Sequence, residues 1–239
     1  MNAQGQSILH HLEAVAAHRR LRADDHVLNG SVRTVKTFQH SRFSHTYGDL
    51  LKQPRYAKAA RFFLDELYGP GDFAARDSQI ARVVPGIVRV FPQEIVVTVA
   101  KLGELHALSE SLDTEMGQRL SAPGLTLVEY GRVWRSVGRA PDRERQIMLM
   151  LAIGADLERY TGRVVLRHSL RLMRGPAGAA GLGALQRFLE AGFDTFRAIG
   201  GADHFLRTIA QREREFAADL FSNDSASVRA LPLGDSNAR

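Results

Sequence analysis

The chain contains no cysteine. That removes disulfides, thiolate nucleophiles, cysteine-ligated metals and thioether-linked chromophores together, and it leaves folding to the apolar core alone. Long apolar runs are missing too: the longest, Ile147 to Ile153, is far short of the roughly 20 residues that cross a bilayer. The first residues, MNAQGQSILHHLE, lack a basic segment followed by an apolar one, so no signal peptide is expected and the expected location is cytoplasmic. Also lacking are GxSxG, a GK[ST] phosphate loop, an ordered Ser–His–Asp set with supporting turns, and a paired-carboxylate motif. The glycine-rich GPAGAAGLG follows a helical pattern rather than a strand and therefore carries no phosphate-loop warrant.

What is present describes a globular chain. Its 239 residues, 44% hydrophobic and 24% charged, suffice for a substantial core. The formal charge is +6, with arginine far outnumbering lysine. Concentrated on one face, such an excess would point to nucleic acid. Here DRERQ and QREREF interleave the two signs, so solvated helix faces are expected and nucleic acid ranks last among partners.

The periodicity is helical throughout. Residues 6–22 place Ile8, Leu9, Leu12, Val15 and Ala16 on one face, and the turn-rich ADDHVLNGS (residues 23–31) predicts a loop. A helical pattern returns from Val32 to Leu51. Tyr56, Ala60, Phe63 and Leu67 then stripe a helix that Gly69 and Pro70 stop. Asp72 suits the N-cap of a helix with the stripe Ile80, Val84, Ile87 and Phe91, in which Pro85 predicts a kink. A long helix from Gln93 to Leu120 carries Ile95, Val99 and Leu102 and drifts to Leu105, Leu108, Leu112 and Met116, so it should cross successive partners. Leu125 to Val137, with the single tryptophan Trp134, forms a shorter element. Pro141 to Arg174 reads as one central helix, and two more follow with Leu185 to Ile199 and Phe205 to Leu220 as their apolar residues. Gly192 should admit a close neighbour. Beyond Phe221 periodicity stops, which predicts a disordered tail over residues 222–239. The expectation is an all-α single domain over residues 1–221, of about seven to nine helices, organised around residues 54–120.

Candidate chemistry centres on a few side chains. His106 and His168 fall beside the inward stripes of two long helices, where they could ligate a metal or haem iron, or sit as satisfied core histidines. Arg76 and Asp77, near Tyr68 and Asp72, form a charged cluster able to line a polar pocket or to lock the turn before it. His11 and His18 are seven apart and miss the spacing of a one-helix metal site.

The segment with Phe62, Phe63, Leu64, Glu66, Leu67, Tyr68, Gly69, Asp72, Phe73, Arg76, Asp77 and Gln79 resembles a proteobacterial all-helical family with the pattern FFLxELYGxxDFxxRDxQ. That resemblance implies a fold and brings no established activity. The succession of helix lengths also resembles the globin and phycobiliprotein superfamily, which implies a globin-like bundle and a tetrapyrrole. Without cysteine a bilin could only be free, not covalently attached, and the short 125–137 element has no histidine in the proximal position.

Three expectations follow. The first is a non-enzymatic helical protein acting through a protein partner or a non-covalently bound small ligand, with a homodimer as one form. The second is a haem- or tetrapyrrole-binding sensor using His106, with Arg76 pairing a propionate. The third is an enzyme using Asp77, Glu110 or His106 as acid or base in a helical cavity.

Overall fold

Asn2 accepts a hydrogen bond from the Gly5 amide at 3.0 Å and so starts the first helix, α1 (Ala3–Ala23). Asp25 does the same for the Leu28 amide at 2.9 Å, starting α2 (His26–Thr46). These elements belong to a computed structural model that describes residues 2–67, 74–90, 92–120, 125–162 and 164–222. For residues 66, 67, 74–76, 87, 90, 164 and 165 it describes the backbone alone. The turn at Gly69 and Pro70, Asp72, Phe91 and the 223–239 tail lie outside the described residues.

The predicted loop over residues 23–31 is therefore only a tight turn. Once Asp25 caps the chain, Leu28, Val32 and Val35 extend one buried stripe, and that burial outweighs the turn preference of Asn29, Gly30 and Ser31. After α3 (Gly48–Lys52) and α4 (Ala57–Phe62), a π-helical turn spans Phe63–Leu67. Then come α5 (Ala74–Val90), with Pro85 inside it, α6 (Gln93–Gln118) and α7 (Leu127–Val137). Gly138 and Arg139, both at positive φ, link α7 to α8 (Ala140–Thr161). The single helix predicted from Pro141 to Arg174 is broken: α8 stops at Gly162, and α9 (Val164–Leu172) and α10 (Arg174–Ala179) follow. Last are α11 (Gly183–Ile199) and α12 (Asp203–Phe221). The described residues thus form twelve α-helices in one all-α domain, without a strand. Three of the twelve, α3, α4 and α10, are only five or six residues long.

Helix α6 is the hub, packed against α1, α2 and α8, while α8 in turn meets α11 and α12. Close approach has visible causes. A Cβ on Gly117 would stand 2.5 Å from Val32 Cγ2, so only glycine lets α2 lie this near α6. Gly192 admits the Phe62 ring, whose Cζ lies 3.2 Å from where a Cβ would be. Buried apolar residues form three clusters. The largest joins Phe43, Tyr47, Tyr56, Phe63, Phe196 and Phe205. A second joins Leu112, Met116, Tyr130, Trp134 and Phe216. The smallest holds Ile8, Leu12, Val84 and Val96.

Candidate functional site: a cavity between two antiparallel helices

Helices α6 and α8 run antiparallel and are tied at both ends. Thr98 donates to Asp156 at 2.7 Å at one end, and Gln146 donates to Ser109 at 2.9 Å towards the other. Both helices line a cavity of about 550 Å³, together with residues of the surrounding helices, and its lining draws on all three apolar clusters. Small-molecule sites commonly occupy roughly 300–1,000 Å³. On α6 the lining follows one stripe, Ile95, Val99, Leu102, His106, Ser109 and Asp113, in steps of four and three residues. The stripe turns from apolar to polar at His106. On α8 Arg143 and Gln146 precede Ile147 and Met150, so in the antiparallel pair the polar ends coincide and the apolar ends coincide.

The polar end is built from six helices, α1, α2, α6, α7, α8 and α12. On α6, Glu110 accepts from Arg22 of α1 and from Lys36 of α2, each at 2.5 Å. Burial pushes the Glu110 carboxyl up, but those two cations more than offset it and hold its pKa at about 2. Arg42 of α2 makes a bidentate contact with Glu213 of α12, at 2.5 and 3.0 Å, and Tyr47 donates to the same carboxylate at 2.7 Å. Asp113 accepts from Gln39 at 3.0 Å, and burial raises its pKa. Burial likewise raises the Tyr130 hydroxyl.

Arg143 is placed differently. It is 4% exposed, its guanidinium carbon lies 3.7 Å from the centre of the Trp134 ring, and its acceptors are Gln146 Oε1 at 3.5 Å and Met116 Sδ at 3.3 Å. Among the described residues no carboxylate lies within ion-pairing distance of it. The sequence expectation that DRERQ forms a solvated face holds for Arg145, exposed and paired with Glu104, and fails for Arg143 two residues earlier. Successive residues on a helix point about 100° apart, so two positions on can be the opposite face.

The residues singled out from sequence divide accordingly. His106 and Asp77 are brought together on the cavity wall, with His106 Nε2 2.8 Å from Asp77 Oδ2, and Arg19 pairs with the same carboxylate oxygen at 2.8 Å. Asp77 therefore ties α5 to α1 and α6. His168 does not extend an inward stripe: the chain turns at Gly162, and the new helix leaves this side chain exposed. Tyr68 and the Arg76 side chain lie outside the described residues. Sequence reasoning missed Asp113, Tyr130, Trp134, Arg143 and Gln146. The available signal was the polarity switch along the α6 stripe at Ser109 and Asp113.

A family model described as Domain of unknown function (DUF8198) matches residues 18–227. The chain belongs to this family. No curated protein and no solved structure matches the chain. The DUF8198 match takes in the cavity-lining parts of α2, α5, α6, α7, α8, α11 and α12 and begins within α1. Among its described residues no helix is long and apolar enough to cross a membrane.

Proposed function

We propose that this DUF8198 protein is a non-enzymatic carrier or sensor that holds one small, mainly apolar molecule non-covalently between α6 and α8. The observation that supports it is the 550 Å³ cavity, on whose lining Ile95, Val99, Leu102 and Leu105 are only half-buried. A helix stripe of this kind normally closes on its neighbours. At about 30 Å³ per water-sized group the volume holds on the order of eighteen non-hydrogen atoms.

Acid–base catalysis has less support from the same geometry. Glu110 is held ionised by two cations, and Asp77 is ion-paired with Arg19. A haem sensor through His106 is disfavoured for a related reason, because the Nε2 that would face iron is engaged by Asp77. The test uses the neutral solvatochromic dye Nile red. A blue-shifted emission that saturates at one dye per chain and is weakened in Leu102→Trp, which puts a bulkier side chain on the cavity wall, is the expected outcome. A folded protein whose dye binding is absent, or is indifferent to Leu102→Trp, overturns the reading and leaves an interaction scaffold.

A further inference from the structure

The charges at the polar end of the cavity do not balance. Arg22 and Lys36 converge on Glu110, and Arg42 takes both oxygens of Glu213. Asp77, also on the lining, is taken by Arg19, which leaves Arg143 and, among the lining carboxylates, Asp113 outside any ion pair among the described residues. Counting the cations behind the lining, Arg19, Arg22, Lys36, Arg42 and Arg143 meet the four lining carboxylates Asp77, Glu110, Asp113 and Glu213, a surplus of one even when Asp113 is ionised, and burial favours its neutral form. The surplus resides on a guanidinium that is 4% exposed and holds only a long amide contact and a thioether.

A buried guanidinium of this kind is costly unless a carboxylate or phosphate completes it, and arginine's planar fork is shaped for such a partner. We propose that Arg143 is the counter-cation for the head group of an apolar monocarboxylic acid, whose body lies along Leu102, Leu105, Ile147 and Met150. The proposal rests on the cavity being a binding site at all. A single surplus positive charge fits a monoanion better than a phosphate dianion. Trp134 stacks on one face of the guanidinium, which leaves its edge for the ligand. Gln39, shared between Asp113 and the Tyr130 hydroxyl at 3.0 and 3.4 Å, keeps Asp113 engaged away from the incoming anion. The body of a saturated acid of about eighteen non-hydrogen atoms fits the volume.

The experiment is displacement of Nile red from the delipidated full-length protein by hexadecanoic acid, hexadecanol and haemin. The acid is expected to displace the dye at roughly tenfold lower concentration than the alcohol. Arg143→Met should bring acid and alcohol together while the alcohol's affinity stays within about twofold. A structural role is separated by a second readout: the unliganded Arg143→Met protein is expected to unfold at a higher urea concentration than the parent, because an unpaired buried charge has been removed. If Arg143→Met fails to fold, Arg143 is structural and the proposal falls. Equal displacement by acid and alcohol, with dye binding intact, overturns the head-group proposal and leaves the cavity reading standing. Preference for haemin over the acid replaces the monocarboxylate with a tetrapyrrole. Failure of the dye itself to bind removes both readings.

Discussion

Two regions of this protein are made from the same material and end differently. Around α3, α4, α11 and α12, aromatic residues interlock: Phe63 sits 5.6 Å from Phe205 and 6.0 Å from Phe196, ring centre to ring centre, and Phe205 has no exposed surface. Between α6 and α8, aliphatic residues with equally regular spacing face a cavity of about 550 Å³. Apolar periodicity therefore marks the inner face of a helix without deciding whether anything packs against it. The charged groups divide in the same way. On the outer surface Arg145 meets Glu104 and Arg214 meets Glu144, pair by pair, whereas on the inner wall Arg143 is in no ion pair among the described residues.

The contrast can be broken by unfolding measurements in urea. The largest loss is expected in the packed region, where Phe205→Ala should cost about 3–5 kcal/mol, while Leu102→Ala on the cavity wall should cost roughly 1–2 kcal/mol because no tight contact is opened. Equal losses at the two sites would show that the cavity is closed in solution. A loss similar to the first, about 3–5 kcal/mol, is expected from Glu213→Ala, which strands the buried Arg42.

Acid titration tests the polar wall. The Glu110 carboxyl stands at about 2 in the folded protein against an ordinary 4.5, a lowered value. Its stabilisation is thus fully present above about pH 4.5 and is lost as the pH falls toward 2, on the order of 3 kcal/mol in all. Asp113, raised by burial, acts in the opposite sense: its contribution is present below its ordinary 3.8 and fades as pH rises through the folded value. Glu110→Gln should accordingly be less stable near neutrality and lose less on acidification. An unchanged acid slope would mean that Glu110 is not the group responsible. The smallest effect belongs to the outer surface, where Arg214→Ala, removing an exposed pair with Glu144, should change stability by less than about 1 kcal/mol.

Much of this architecture was legible from spacing and punctuation. The stripe Tyr56, Ala60, Phe63 is buried as its periodicity required, and Gly192 receives Phe62 as a small residue in a helix face can. His106 was picked out beside an apolar stripe and Asp77 as part of a charged cluster at a helix start, and the fold joins them. The misreadings came where local preference met burial. At residues 23–31 a turn-forming composition yielded to a capped helix with a buried stripe, and at Gly162 a continuous apolar pattern was cut by a change of axis that left His168 outside.

By itself, then, the sequence determined the all-helical class, most helix faces and the absence of thiol chemistry, because those depend on short-range periodicity and on which atoms are present. Only the tertiary structure decided that α6 and α8 line one cavity, that their polar ends coincide, and that Arg143 is buried without an ion-paired carboxylate among the described residues. The physical reason is that the cost of burying a charge, or the benefit of burying a leucine, depends on what lies across from it. In this chain the facing groups come from helices far apart in sequence, such as Arg42 and Glu213, 171 residues apart.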